Sequence, residues 1–208
     1  LVPMGDAILF HSCDACLNLG GFANVSFALK KNRIAYDIGA CNIILNYFAQ
    51  QLGHDYDYQG QLAQKGSCDD SLLQKLNNID YYSLNPPKSL AREFKETQLL
   101  PLLSSYDAKT VLHTYTKHIG LQIGMSLTTC KAKKCLVTGG GTHNHFLIDQ
   151  IKQHTGCRLE IPDQTIIDYK EALIFALLGL LRNENKINVL SSVTGASRDH
   201  SAGRMTKP

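Results

Sequence analysis

Strong charge, long apolar runs and paired-cysteine spacings are all scarce in this chain, and each shortage removes a class of function. Charged residues make up 19% of the 208 and the net charge is only +3, too mild a surplus to gather a polyanion. The basic residues are scattered, apart from Lys131-Ala-Lys-Lys134 and the tail Arg204-Met-Thr-Lys-Pro208, which read as a solvated helix end and a frayed terminus. No RNA- or DNA-reading motif is present either, so no nucleic-acid partner is expected. The most apolar stretch, Ala172-Leu-Ile-Phe-Ala-Leu-Leu-Gly-Leu-Leu181, falls far short of the ~20 residues a membrane span requires. It reads as a buried helix, with no membrane partner and no signal peptide in view. The seven cysteines are odd in number and sit in strand- and helix-like segments, which reads as a reducing, cytoplasmic compartment. Cys13-Asp-Ala-Cys16 has C-x-x-C form, but no second pair completes a tetrahedral zinc site, and an apparent strand rather than a helix follows it.

What is present is glycine at strand ends. Lys134-Cys-Leu-Val-Thr-Gly-Gly-Gly-Thr-His-Asn144 reads as a short apolar strand, three glycines and the start of an amphipathic helix. Glycines in such a turn expose bare backbone to a ligand, and the helix start favours an anion or acceptor. The stretch fits neither G-x-G-x-x-G nor the P-loop pattern. Leu17-Asn-Leu-Gly-Gly-Phe-Ala-Asn-Val-Ser26 and Tyr36-Asp-Ile-Gly39 echo it upstream. Glycines at the ends of three strands in one small domain point to a nucleotide cleft.

The periodicities give an ordered chain. Residues 14–19, 24–29 and 33–37 alternate as strands joined by Gly20-Gly21 and Lys30-Lys-Asn32, an antiparallel meander. A helix is predicted over 42–51, stopped by Gly53. Residues 54–105 read as an irregular helical insertion, with short helices at 70–76 and 92–103 and a stiff break at Asn85-Pro-Pro-Lys-Ser89. The longest helix spans 107–130, with Val111, Leu112, Tyr115, Ile119, Ile123 and Leu127 inward and His113 and His118 at or off the edge of that stripe, hence solvated. Strand 135–138, helix 144–154, strand 158–161 and helix 169–182 complete the pattern, and the chain is loop-like after Lys186. The fold class is therefore α/β, a mixed sheet with flanking helices in the ribonuclease-H-like order. Duplicated, that order builds the actin, Hsp70 and sugar-kinase superfamily.

Each candidate site has a functional and a plain reading. Gly20 and Gly21 bring backbone amides to a phosphate, with Asn18 beside a phosphate oxygen or metal-bound water, or they simply close a hairpin. Asp37, before Gly39, holds Mg²⁺ through water, or caps the next helix. Gly139, Gly140, Gly141, Thr142 and Asn144 meet the nucleoside. His143 and His145 point to different helix faces, so a shared ion is not expected. Glu171, read as beginning the apolar helix, binds a ligand hydroxyl or complements the helix dipole.

Taken together the segments resemble one family, anhydro-N-acetylmuramic acid kinase of bacterial cell-wall recycling. The blocks carrying the resemblance are Leu17–Ser26, Pro86-Pro-Lys-Ser-Leu-Ala-Arg-Glu93, Val137–Asn144, Lys170-Glu-Ala-Leu-Ile-Phe-Ala176 and Val193-Thr-Gly-Ala196, in family order along nearly the whole chain. The resemblance implies an ATP- and Mg²⁺-dependent enzyme. It opens the 1,6-anhydro ring of its amino-sugar substrate with water and phosphorylates O6, giving N-acetylmuramic acid 6-phosphate. By motif, Asn18, Gly20, Gly21 and Asn24 face the phosphates; Gly139, Gly140, Gly141 and Asn144 face the nucleoside; Glu171 touches the sugar. It also leaves room for a homodimer.

Two departures stand out. Where the family reads Asp-Thr-Gly-Pro-Gly-Asn, this chain has Asp37-Ile-Gly-Ala-Cys-Asn42. The family's N-terminal half, with its first phosphate loop and the aspartate expected as base, lies upstream of Leu1. Residues 1–208 then correspond to the C-terminal lobe of a two-lobed kinase and are inactive alone. The alternative is a non-catalytic nucleotide- or sugar-binding member of the same superfamily, and a scaffold domain is a further rival.

Overall fold

The computed structural model describes residues 1–206; Lys207 and Pro208 of the basic tail lie outside the described residues. Helix α1 (Val2–Leu9) leads into strands β1 (Ala15–Leu19), β2 (Phe22–Leu29) and β3 (Asn32–Ala40), then helix α2 (Asn42–Gln51). The short helices α3 (Gln61–Gln64), α4 (Asp70–Asn77), α5 (Arg92–Phe94) and α6 (Leu100–Leu103) occupy the irregular region before the long α7 (Ala108–Thr129). Then come β4 (Lys134–Thr138), α8 (His145–Gln153), β5 (Arg158–Glu160), α9 (Gln164–Asn183) and the single turn α10 (Ser191–Thr194).

The five strands form one mixed sheet in the order β3-β2-β1-β4-β5. The meander pairs antiparallel, while β1–β4 and β4–β5 pair parallel. This is the expected ribonuclease-H-like arrangement. β1 sits mid-sheet with Ala15, Cys16, Leu17 and Leu19 buried, since a strand covered on both faces must be apolar nearly throughout. Asn18 is its one partly open residue. Helices α2, α7 and α8 pack together over one face, and α1 and α9 pack over the other.

Aspartate and asparagine caps set the helix starts. Asp69, Asp107, Asn144 and Asp163 each accept amides from the first turn of α4, α7, α8 and α9. Asp163 therefore starts α9 five residues earlier than its apolar run, which begins near Tyr169. Helix α1 precedes the first strand, in a stretch to which the sequence reading assigns no element.

Burial departs from the sequence reading in two places. The stretch 172–181, expected to be a buried helix, buries only Ile174 and Leu178, which continue a stripe from Lys170, while Leu173, Phe175 and Leu180 remain 43%, 48% and 54% exposed. Conversely, His118, read as solvated, is fully buried, its Nδ1 2.7 Å from Asn77 Oδ1 and its ring 4.7 Å from that of Tyr82. His113 is half-buried, with Nδ1 2.9 Å from the Ala63 carbonyl. The short helices α3 and α4 pack on α7, and they enclose the two imidazoles that the α7 sequence by itself leaves in water.

Candidate functional site

The carboxyl ends of β1 and β4 lie side by side, with Asn18 opposite Thr138. That edge is where an open α/β sheet presents ligands, because the strand ends leave backbone groups unpaired. Two hollows open there, and a third lies over β2 and β3.

The first, about 390 Å³, is lined by Asn42, Tyr56, Tyr58, Gly140, Gly141 and Asn144 among others. The glycines divide their roles. A Cβ on Gly140 would meet nothing nearer than Asn42 Nδ2 at 4.0 Å. On Gly141 it would come 2.6 Å from Leu19 Cβ, and on Gly139, whose φ is +88°, 2.6 Å from Asn18 Oδ1. Gly140 thus leaves space open, while its two neighbours are small so that β1 can approach. Thr142 turns inward, its Oγ1 donating to the Gly139 carbonyl at 2.7 Å. Asn144 lines the hollow but its Oδ1 accepts the Leu147 amide at 2.9 Å. His143 and His145 are exposed, and no group of three or more potential metal-holding side chains occurs among the described residues.

The second hollow, about 290 Å³, gathers Asn18, Asn24, Thr138, Gly139, Lys170 and Glu171. Four residues singled out from distant parts of the sequence meet in it. Glu171 stands about two turns into α9 rather than at its start, so its reading as an acid complementing the helix dipole is corrected. Lys170, which no sequence argument isolated, is buried at the edge of this hollow. Its Nζ lies 2.8 Å from Asp6 Oδ1 and 3.5 Å from Thr138 Oγ1. Asp6 accepts from Ser26 Oγ at 2.5 Å, and Arg33 donates to that same Oγ at 2.8 Å. The signal for Lys170 was its position four residues before Ile174 and eight before Leu178, on the inward stripe.

Gly20 and Gly21 form the turn between β1 and β2. Their carbonyls accept the Cys41, Asn42 and Ile43 amides, closing the start of α2, which has no side-chain cap. Asn42 Nδ2 also donates to the Leu19 carbonyl at 3.0 Å.

The third hollow, about 360 Å³, includes Asn24, Asp37, Lys88, Ser89 and Val193. β3 runs on to Ala40, beyond the expected end at residue 37, so Asp37 and Gly39 belong to a strand rather than a loop. A register shift pairs Ala23 with Gly39 but Asn24 with Asp37, and such a bulge re-aims side chains. Asp37 faces the hollow. Gly39 is pressed into the core, where a Cβ would come 2.7 Å from Ile119 Cδ1. Asp37 Oδ2 accepts the Leu90 amide at 2.9 Å, its carbonyl accepts Tyr81 Oη at 2.5 Å, and its amide donates to the Lys88 carbonyl at 3.2 Å. It clamps segment 88–90; it does not cap α2.

The family profile described as anhydro-N-acetylmuramic acid kinase matches residues 1–208. The chain belongs to that family. An anhydro-N-acetylmuramic acid kinase of Chromohalobacter salexigens is 34% identical over 94% of this chain and 58% of its own length. One of Bacillus cereus (strain Q1) is 31% identical over 100% and 60%. The chain thus spans about three-fifths of the curated family members it matches. Among solved structures, component A of the (R)-2-hydroxyglutaryl-CoA dehydratase of Acidaminococcus fermentans superposes with a TM-score of 0.51 at 16% identity, over 83% of this chain and 63% of that one. That likeness is one of fold.

Proposed function

We propose that residues 1–208 form the C-terminal lobe of a two-lobed, cytoplasmic, ATP-dependent sugar kinase, with 54–105 as its insertion. Its reaction opens the 1,6-anhydro ring of anhydro-N-acetylmuramic acid with water and phosphorylates O6. The observation that carries the reading is the meeting of Asn18, Asn24, Gly139 and Glu171 in one hollow beside the open backbone of Gly140.

The residues divide the work along the trough. Gly140 exposes backbone to the nucleoside, in a space a side chain would fill, with Gly141 and Asn144 as its walls. Asn18 and Asn24, paired across β1 and β2, offer amide donors to phosphate oxygens, and the amides of the Gly20-Gly21 turn lie beyond them. Asp37 keeps Oδ1 clear of the Leu90 amide, which suits one water-mediated contact to Mg²⁺, an ion that takes few protein carboxylates. When bound, Mg²⁺ neutralises charge on the phosphates. Glu171 accepts from a sugar hydroxyl and orients it. The general base that takes the proton from the attacking water is assigned upstream of Leu1.

The test is mass spectrometry of the product formed by the full-length protein with Mg-ATP and anhydro-N-acetylmuramic acid. A gain of phosphate plus water is expected. Phosphate without water, or no product from well-folded protein, overturns the assignment.

A further inference from the structure

Two family blocks carry no role in the preceding account, Pro86–Glu93 and Val193–Ala196, and both reach the third hollow. Lys88, Ser89 and Val193 line it together with Val2, Asn24 and Asp37. Val2 and Asn24 also line the hollow of Asn18 and Glu171, so the two spaces are neighbours with a shared wall. A volume of about 360 Å³ suits part of a small polar ligand.

The charges of this hollow are unevenly committed. Asp6 is paired with Lys170. Asp37 has one oxygen on the Leu90 amide. Lys88 Nζ donates to the Tyr81 carbonyl at 3.0 Å and lies 4.6 Å and 5.8 Å from the ring centres of Tyr81 and Tyr36. An ammonium has three donors, and two of these remain for a ligand. Burial lowers the Lys88 pKa, an effect that a ligand anion would oppose.

The inference rests on the kinase reading above. The substrate of that reading differs from a plain anhydro-amino sugar by a lactyl ether ending in a carboxylate. We propose that this cleft is the subsite for that lactyl group, with Lys88 Nζ pairing its carboxylate. Asn24, which lines both hollows, stands between this subsite and the phosphate side.

The experiment measures affinity by calorimetry on the full-length protein, wild type and Lys88→Met. The ligands are 1,6-anhydro-N-acetylmuramic acid and 1,6-anhydro-N-acetylglucosamine, which has a hydroxyl in place of the lactyl ether. Wild type should favour the muramic compound by about tenfold or more, one charge-assisted pair. Lys88→Met should collapse that ratio towards unity, with Lys88→Arg retaining part of it and KM following the affinity. An unchanged ratio, or equal loss for both sugars, overturns the subsite. Binding that depends on Lys88 without any turnover keeps the subsite and sinks the kinase reading. Binding of neither sugar overturns both.

Discussion

Lys170 Nζ sits 2.8 Å from Asp6 Oδ1, and both side chains are almost wholly buried, joining α9 to α1 beneath the sheet. Ser26 and Arg33 extend the chain of contacts to β2 and β3. A buried pair of this kind is weak as a source of net stability, but breaking it leaves a stranded charge.

Replacing Lys170 with Met should therefore destabilise the fold by about 3–5 kcal/mol. The double replacement Asp6→Asn with Lys170→Met should cost less than the sum of the single changes, since no charge is left alone. Urea unfolding of the three variants gives the answer. Additive losses would mean that the two groups do not depend on each other.

The three glycines of the β4 turn should separate by phenotype. Gly140→Val should weaken nucleotide binding while leaving the fold intact, because the space it fills faces the hollow. Gly141→Ala should lose about 1–3 kcal/mol of stability, because its Cβ meets Leu19. Calorimetry with ATP and thermal melts separate the two effects; a Gly140→Val protein with unaltered ATP affinity would refute the first.

Stability should fall as acid is added, with His118 a principal cause. Burial holds its pKa down, from 6.5 to about 3. The unfolded chain takes a proton below its ordinary pKa while the folded one does not. Its contribution is complete above about pH 6.5 and drains away towards pH 3. Between about pH 7.5 and about pH 4.5 the loss should be on the order of 2–3 kcal/mol. His118→Gln should show a flatter profile; an equally steep one would place the acid sensitivity elsewhere.

The 208-residue chain by itself should fold yet remain catalytically silent. Its own core spans the sheet, α2, α7 and α8, whereas the base is assigned outside it. Loss of positioning can forfeit about 7–11 kcal/mol of barrier lowering. Assays beside the full-length protein, with circular dichroism for structure, decide. Turnover within about tenfold of the parent would place the base inside residues 1–208.

The sheet was legible because strand alternation and the turn residues Gly20-Gly21 and Lys30-Lys-Asn32 repeat local rules. The extents of α7 and α8 followed the apolar period, while the Asp and Asn caps at their starts went unread. What escaped was set by neighbours distant in sequence. The exposure of Leu173, Phe175 and Leu180 depends on what covers α9, which apolar composition does not state. His118 is hidden by the turn of Tyr82 and by Asn77 on α4. The bulge at Ala23 and Asn24 separates Asp37 from Gly39 onto different faces, and a motif read as a continuous string does not show it. Candidate residues were recognisable by type, but their partners were not: Lys170 waited on Asp6, far away in the chain.

Asn42 holds the Gly20-Gly21 hairpin and borders the triple-glycine turn. Its amide grips the Leu19 carbonyl at 3.0 Å, its backbone hangs from Gly20, and its side chain is the nearest atom to the open side of Gly140. The hairpin and the triple-glycine turn are consequently shaped before anything arrives. A ligand entering there has little backbone left to organise, so the entropy of ordering is already spent during folding and does not subtract from affinity.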